Sequence, residues 1–291
     1  MEEIRLETAE GISEAVAFAN RQFGLDFQQF QPKLYGHADS GGTCTFRKDG
    51  RIIGMASFYP VFCNGLRCLS VGTVCTAPEA RGQGVMTSLF AYLQRNVFPD
   101  YDIITLSGRK TRYEHFGFAK ALWFPEYWFY PRGGSPKIPI RPIIRQDAER
   151  LRSLWEKYGT GTLRPGERMP DILRSANHEA YLLYDGAEAG YVSGHRQKRI
   201  LTEYCGPWPA QTVVDAMSAL WGSAKIGMLG KWNCHDEDLL RSCDSFSIRN
   251  HGNIRLQMAQ TDLREVYQKF GYGGREPESK LPSSLIYLDG I

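Results

Sequence analysis

The sequence has no apolar run as long as a membrane helix, and its start, MEEIRLETAE, is acidic and polar rather than typical of a signal peptide. It also lacks a strong charge of either sign, because 35 basic residues stand against 32 acidic ones and both signs are spread along the chain. Nucleic-acid binders usually carry a basic face or stripe. We therefore expect neither a membrane nor a nucleic acid as a partner.

The cysteines form no framework that would indicate disulfides. Their number is seven, and their spacing is wide, which is typical of reduced thiols in a cytoplasmic protein. The run Cys234-His235-Asp236 has no second ligand pair at a convincing spacing, so a helix cap and an acidic surface explain it better than a metal site. We expect a cytoplasmic protein without a metal.

The length of 291 residues suits two domains, and 42% apolar residues are enough to bury a core in each. Residues 131–142 are rich in proline and glycine and follow an aromatic strand, which makes them the best boundary. The predicted domains are therefore residues 1–135 and residues 136–291.

The most informative stretch runs from Leu69 to Val97. β-Favouring residues predict a strand that breaks at Ala77-Pro78, and a loop with two glycines follows. Apolar residues then recur every four positions, which predicts one buried helix face formed by Val85, Leu89, Leu93 and Val97. Glycines allow close approach of a ligand to the backbone, and the first turn of a helix has unpaired N–H groups with a partial positive charge. Such a loop suits a phosphate.

The sequence excludes two common phosphate-binding loops. A Walker loop consists of a glycine, four further residues and then Gly-Lys-Ser/Thr, and no such run occurs. A dinucleotide fingerprint needs a third glycine where this chain has Thr87. The loop instead reads Arg81-x-x-Gly84-x-Met86, which resembles the acyl-CoA pyrophosphate loop of the GNAT N-acetyltransferase superfamily. Met86 departs from the Gly or Ala that the family has at the last position.

A second segment carries the same resemblance. In RKTRYEHFGF, residues 109–118, Tyr113 lies four residues before Gly117-Phe118 and matches the Tyr-x-x-x-Gly-Phe pattern of the superfamily. Taken alone, Tyr113 reads more readily as a core aromatic on a short helix. With the Arg81 loop upstream, the resemblance favours a tyrosine that protonates the departing thiolate of CoA.

The order of elements also agrees with this superfamily. A strand, a helix, an antiparallel meander, the loop with its helix, and further strands predict an α/β (mixed α+β) fold with a central mixed sheet flanked by helices. The second half has a similar order of elements, but the corresponding segment reads CGPWPAQTVVDAMSAL and has no Arg-x-x-Gly. It resembles a tandem GNAT arrangement with a degenerate second copy. That copy could shape the acceptor site or form a homodimer, and packing support is the simpler alternative.

The resemblance implies acetyl-CoA, or another acyl-CoA, as cosubstrate and direct transfer to a primary amine in a ternary complex. The pyrophosphate would be bound by the loop and the first turn, the strand would orient the pantetheine and the thioester, and Tyr113 would be the general acid. The implied binding residues are Val74, Cys75, Arg81, Gly82, Gln83, Gly84, Val85 and Met86. The aromatic loop containing Phe27, Phe30 and Tyr35 would lie on the acceptor side, although simple burial is the more common role for such residues.

A general base is missing from this pattern. The strand from Cys68 to Thr76 contains no Asp, Glu or His, and neither Glu79 nor Glu114 stands out as a substitute. A water chain or an amine that arrives neutral remains open. The missing carboxylate also leaves open a non-catalytic CoA-binding sensor or interaction module. A covalent mechanism through Cys75 is a third possibility, less favoured because no histidine is placed to activate the thiol. The sequence does not identify the acceptor amine.

Overall fold

A computed structural model describes residues 1–37, 41–63, 65–106, 110–134, 137–159, 162–229, 239 and 241–256. The chain divides into two compact units. Within the described residues, the first unit comprises residues 1–122 and 252–256, and the second comprises residues 123–251. No helix in these ranges is long and apolar enough to cross a membrane.

The first unit has a mixed sheet in the order β1–β2–β3–β4–β5–β13. Every neighbouring pair is antiparallel except β4 and β5, which are parallel and are joined by helix α4. The elements of this unit are β1 (Glu2–Leu6), α1 (Ala9–Phe23), α2 (Phe27–Phe30), α3 (Pro32–Tyr35), β2 (Gly42–Lys48), β3 (Arg51–Cys63), β4 (Leu66–Thr76), α4 (Val85–Asn96), β5 (Ile103–Leu106) and α5 (Lys110–Tyr113). Strand β6 (Ala119–Phe129) follows and continues into the second unit, and β13 (Ser245–Leu256) returns to the first.

Helix α4 packs on β2, β3 and β4 through the face that the four-residue spacing predicts. Val85, Leu89 and Leu93 are buried, and so is Val97 immediately after the helix. Phe90 is also fully buried on this side. Burying one such side chain stabilises a fold by about 1.5–3 kcal/mol, so this face anchors the start of α4 against the sheet.

Helix α1 begins earlier than the sequence suggests. From the sequence alone, Ser13 is a plausible N-cap for a helix that runs to Phe23. That prediction is wrong, because Ser13 lies inside a helix that begins at Ala9. The carbonyl of Thr8 already accepts from the N–H groups of Gly11 and Ile12 at 3.0 and 3.1 Å. A glycine at position 11 is a weak helix former, but packing of the helix on the sheet outweighs that preference.

The strands of the second unit are hydrogen bonded in the order β7–β9–β10–β11–β12–β6. Here too the pairs are antiparallel except for one parallel pair, β11 and β12, which is joined by helix α8. Its elements are β7 (Ile140–Pro142), α6 (Ala148–Tyr158), β8 (Thr162–Leu163), α7 (Met169–Arg174), β9 (Glu179–Asp185), β10 (Glu188–His195), β11 (Ile200–Cys205), α8 (Ala210–Trp221) and β12 (Ile226–Leu229). The connectivity of the first unit, three antiparallel pairings followed by strand, helix and parallel strand, therefore occurs twice.

The loop before α8 differs from the loop before α4. The Tyr204 hydroxyl accepts from the N–H of Trp208 at 2.7 Å and donates to its carbonyl at 3.0 Å. Pro209 is the N-cap of α8. A turn held by hydrogen bonds to the Tyr204 side chain therefore stands where the first unit has its glycine loop.

Candidate functional site

A β-bulge reshapes strand β4 just before the glycine loop. Met55 of β3 pairs with Cys75, and Ser57 pairs with Gly72, so two residues of β4, Thr73 and Val74, face one residue of β3. Thr73 has a φ of 47°, in the left-handed region, which costs a residue with a Cβ on the order of 1–2 kcal/mol. A bulge bends its strand and redirects the following side chains. Val74 and Cys75, two of the predicted binding residues, lie at this bend.

The same part of β4 extends past the last described residue of its parallel neighbour, β5. In the described ranges, the ladder between β4 and β5 ends at the pair Val71 and Leu106. The β5-facing edge from Gly72 to Thr76 therefore presents backbone groups beyond the described end of β5. Such an edge can pair with an extended ligand through main-chain hydrogen bonds, as the amides of a pantetheine arm would require.

The glycine loop owes its shape to two left-handed residues. Gly82 and Gly84 have φ angles of 76° and 77°, a conformation that favours glycine. A Cβ at either position would meet nothing within 4 Å, so the backbone requires these glycines and the space beside them is open. Arg81 and Gln83 are exposed, and Gln83 Nε2 donates to the carbonyl of Glu79 at 2.8 Å.

The loop ends at the positive end of a helix. The N–H of Ser88 donates to the carbonyl of Gly84 at 2.9 Å, so the amides of Val85, Met86 and Thr87 are the first-turn donors of α4. The first turn contains no acidic residue. Open space beside the loop, first-turn amides without a partner in the helix, and the helix dipole are the features that binding of an anion such as a pyrophosphate requires.

A glycine outside the predicted motif lets α4 approach the sheet. A Cβ on Gly54 of β3 would lie 2.4 Å from Val85 Cγ1 and 3.3 Å from Leu89 Cδ1. The start of α4 therefore rests directly on the β3 backbone. Met86 is half-buried and packs against the same core, so the close approach of the helix is retained although Met86 replaces the smaller family residue. Nothing in the sequence around Gly54 signals this role.

Tyr113 is held by a turn and an aromatic cluster. Helix α5 ends at Tyr113, a 3₁₀ turn covers Glu114–Phe116, and Gly117 follows with a φ of 83°. This left-handed glycine turns Phe118 into the core, where it lies 6.4 Å from the Tyr113 ring, and Phe90 of α4 lies 5.9 Å from the same ring. The spacing in Tyr-x-x-x-Gly-Phe thus has a structural cause, because the glycine lets both aromatic rings share one core.

Burial raises the pKa of the Tyr113 phenol, and the neighbouring Arg112 guanidinium opposes this effect only in part. The phenol therefore remains protonated at neutral pH and can donate a proton. Tyr113 and Tyr35 both lie near enough to Cys75 for an electrostatic interaction with it. Burial raises the pKa of the Cys75 thiol to about 12. A thiol that stays protonated is a poor nucleophile, which argues against the covalent alternative.

The two carboxylates that the sequence offers near the site, Glu79 and Glu114, do not supply a buried base. Glu79, Glu114 and His115 are exposed. Arg109 lies outside the described residues, and so do Cys234-His235-Asp236. Within the described chain, no group of three or more His, Cys, Asp or Glu side chains could hold a metal ion.

The segment expected on the acceptor side forms two one-turn helices rather than a loop. Phe27, at the start of α2, is buried with its ring centroid 6.1 Å from that of Tyr35 in α3. The Tyr35 hydroxyl is 2.8 Å from Ser57 Oγ, which is 2.9 Å from Thr43 Oγ1. An open pocket of about 190 Å³ lies beside them, lined by Ala9, Ile12, Ser13, Val16, Gln28, Leu34, Tyr35, Gly36, His37, Gly41, Gly42 and Thr43. Sequence reasoning missed Ser57 and Thr43, because small hydroxyls on strands carry no local signal.

Comparison with known proteins finds one matching family model and several solved structures of similar fold. Residues 12–118 match the model of the acetyltransferase (GNAT) family, and no curated protein matches the sequence. A probable N-acyltransferase from Enterococcus faecalis is similar over 91% of this chain and 75% of its own, with 15% identity and a TM-score of 0.68. A GCN5-related N-acetyltransferase from Kribbella flavida is similar over 88% and 71%, with 18% identity and a TM-score of 0.58. A tandem GNAT protein from the clavulanic acid biosynthesis pathway is similar over 89% and 100%, with 10% identity and a TM-score of 0.51. At these identities the likeness to the solved structures establishes the fold.

Proposed function

We propose, from the premise that residues 12–118 of this chain form a domain of the acetyltransferase (GNAT) family, that the protein transfers an acyl group from acyl-CoA to a primary amine. Acetyl-CoA is the cosubstrate that we propose first. The family and the fold support acyl-CoA-dependent N-acyl transfer in general. The observation that carries the proposal is the direct succession of three features: the β4 edge beyond its bulge, the loop with Gly82 and Gly84, and the first turn of α4.

Each feature has a separate task. The backbone amides from Gly82 to Met86 bind the pyrophosphate, and Arg81 adds a positive charge at the exposed rim. The backbone at Val74 and Cys75 pairs with the pantetheine arm and directs a donor at the carbonyl oxygen, where negative charge develops during attack. The acyl-CoA supplies the thioester that the amine attacks directly in a ternary complex. Tyr113 then gives its proton to the departing sulfur.

Calorimetry of acetyl-CoA binding tests the cofactor site. Gly84→Glu and Gly84→Ala both force a Cβ into the left-handed conformation at φ 77°, so they share the same backbone strain. Only the glutamate adds bulk and negative charge where the phosphates would lie. We expect Gly84→Ala to bind within about tenfold of wild type, a loss of about 1.4 kcal/mol, and Gly84→Glu to show no binding. Failure of the wild-type protein to bind any acyl-CoA would sink the proposal.

Release of CoA in the presence of amines tests the reaction. The panel comprises a peptide with a free N terminus, a lysine peptide with a blocked N terminus, spermidine and an aminoglycoside. Tyr113→Phe should lower kcat by about 10²-fold or more, the size typical of a lost general acid, with the Kd of acetyl-CoA unchanged. An unchanged kcat would remove Tyr113 from this role.

The second candidate is a CoA-binding sensor or interaction module without chemistry. The absence of Asp, Glu and His from Cys68 to Thr76 favours it, and the buried, protonated Tyr113 favours the enzyme. Acetyl-CoA binding without CoA release for any amine would decide for the sensor.

We further propose that residues 136–291 are a diverged copy of the domain formed by residues 1–135. The repeated connectivity supports this proposal. In the second copy, the turn that is hydrogen bonded to the Tyr204 hydroxyl stands in place of a glycine loop, which argues that this copy does not bind CoA. A cytoplasmic location, and self-association as a homodimer, are compatible proposals that fractionation and sedimentation would test.

A further inference from the structure

Three hydroxyls of the first unit, two of them on buried residues, are hydrogen bonded in a row. The Tyr35 hydroxyl is 2.8 Å from Ser57 Oγ, and Ser57 Oγ is 2.9 Å from Thr43 Oγ1. We call this row the hydroxyl chain. Thr43 and Ser57 are direct partners in the β2–β3 ladder, and α3 adds Tyr35. The side chains of Thr43 and Ser57 lie in residues that are 2% and 0% exposed.

The Tyr35 end of the hydroxyl chain lies at the β4 bulge, where the Thr73 hydroxyl is near enough to the Tyr35 phenol to lower its pKa. Ser57 pairs with Gly72, the residue before Thr73. Thr73 is 9% exposed, and its buried Oγ1 lies near the Tyr35 hydroxyl but makes no hydrogen bond of good geometry in the described part of the chain. Leaving a buried hydroxyl unpaired costs about 1–3 kcal/mol. Such an atom at the bend of the candidate site indicates a place for a ligand group that can hydrogen bond to it.

The other end of the hydroxyl chain, Thr43, lines a pocket. Thr43 lines the pocket of about 190 Å³, together with Ser13 and His37. A pocket of this size, open to solvent, has room for water beside the Thr43 hydroxyl. The hydroxyl chain therefore runs from the Tyr35 hydroxyl at the bend of β4 to Thr43 at the pocket, which the Tyr35 side chain also lines.

We propose that the hydroxyl chain carries the proton of the acceptor amine from the β4 bulge to the pocket and so replaces the carboxylate base that β4 lacks. This inference rests on the proposed function. Thr43 and Ser57 would be proton-transfer residues that act through Tyr35 without touching the substrate.

Burial raises the pKa of Tyr35 to about 12, and the neighbouring hydroxyls of Ser57 and Thr73 oppose this effect only in part. Tyr35 therefore stays protonated at neutral pH. It cannot store a proton as a carboxylate base does, but it can accept one while it passes its own to Ser57.

The protons and bonds balance in this scheme. The amine nitrogen forms a bond to the thioester carbon and the carbon–sulfur bond breaks, with the electron pair going to sulfur. A proton from nitrogen passes to Tyr35, the Tyr35 proton to Ser57, the Ser57 proton to Thr43, and the Thr43 proton to water in the pocket. Tyr113 protonates the sulfur and regains its proton from solvent. The products are an amide, CoA thiol and, for an ammonium substrate, one proton.

Paired substitutions at Thr43 test the inference. Thr43→Val removes the hydroxyl with little change of shape, and Thr43→Ser keeps it. Thr105→Val is the matched control, because Thr105 is a buried hydroxyl of the same sheet that donates to the Leu69 carbonyl outside the hydroxyl chain. The assay is CoA release at saturating acetyl-CoA with the panel amine that wild type acetylates fastest, from pH 6 to pH 10, together with calorimetry of acetyl-CoA.

We expect Thr43→Val to lower kcat by about 10²-fold at pH 7, the size typical of lost general base catalysis. The Kd of acetyl-CoA should be unchanged, and Thr43→Ser and Thr105→Val should remain within about threefold of wild type. The loss in Thr43→Val should shrink toward pH 10, because an alkylamine with a pKa of about 10 then arrives increasingly neutral.

Equal kcat values for Thr43→Val and Thr43→Ser, or a loss that does not depend on pH, would overturn the hydroxyl chain and leave the acyltransferase intact. Ser57→Ala provides a second break in the row if Thr43→Val does not fold, with the same expected pH profile. If wild type binds acetyl-CoA but acetylates no amine, the proposed function itself fails, and the hydroxyl chain with it.

Discussion

Gly54→Ala is the most direct test of how the sheet supports the phosphate loop. The new Cβ would lie 2.4 Å from Val85 Cγ1, whereas carbon atoms in good contact are about 3.5–4.0 Å apart. Relief requires that the start of α4 shift by roughly 1 Å or that Val85 leave its rotamer, and overpacking of this kind costs about 1–3 kcal/mol. Because Val85 follows Gly84 directly, the displacement reaches the amides that would bind pyrophosphate.

Two measurements should therefore change together in Gly54→Ala. The melting temperature should fall by about 2–4 °C for each kcal/mol lost. The Kd of acetyl-CoA should rise by about tenfold, which corresponds to about 1.4 kcal/mol. Differential scanning fluorimetry and calorimetry would give the two values on the same preparation.

The double variant Gly54→Ala/Val85→Ala is the matched control. Val85→Ala alone removes the clashing methyl and leaves a small cavity, which the methyl at position 54 then partly fills. The two changes should compensate, with a coupling energy of about 1 kcal/mol or more. Additive effects, or a Gly54→Ala protein that melts and binds like wild type, would refute the account of α4 resting on β3.

Three further outcomes follow from the structure. Glu203 accepts two hydrogen bonds from Arg164 at 2.7 and 2.9 Å with both side chains buried, so Glu203→Gln should cost about 3–5 kcal/mol of unfolding free energy in urea, and a loss below 1 kcal/mol would contradict this. The Arg141 guanidinium, at 2.6 and 2.7 Å, lowers the pKa of Asp147. A carboxylate whose pKa is lowered by folding stabilises the folded protein above the usual pKa of Asp, and this contribution is lost as the pH falls through the folded-state pKa. Asp147→Asn should therefore lower the melting temperature at pH 7 and have no such effect near pH 3. An equal difference in melting temperature at both pH values would contradict this prediction. Burial raises the pKa of Cys75 to about 12, so its thiol is a poor nucleophile and Cys75→Ala should retain turnover. Detection of an acyl-cysteine at this residue by mass spectrometry would instead support the covalent mechanism.

Features set by neighbouring residues were predictable from the sequence. The helix face formed by Val85, Leu89 and Leu93 depends on the period of the α-helix, and the structure buries all three. The left-handed turns at Gly84 and Gly117 lie where the two motifs place their glycines. Propensity was weaker at helix starts, as the error at Ser13 illustrates, because tertiary packing extends α1 back to Ala9.

Features that join distant segments were not predictable. Gly54 is important because α4 crosses β3 at that residue, 31 positions before Val85. Ser57 is important because Thr43 of β2 and Tyr35 of α3 both hydrogen bond to it. The bulge at Thr73 depends on the register between β3 and β4. A strand register is decided by the burial of both strands at once, and no local pattern states which two residues will face each other.

The stretch from Leu69 to Val97 therefore determined by itself a strand, a glycine loop and a helix start suited to an anion, because backbone conformation and helical period are local properties of the chain. The tertiary structure decided where β4 extends past the last described residue of β5, how closely α4 rests on Gly54, and which hydroxyls line up toward the pocket. Those outcomes depend on long-range pairing and close packing, in which each residue's surroundings are supplied by segments far away in the sequence.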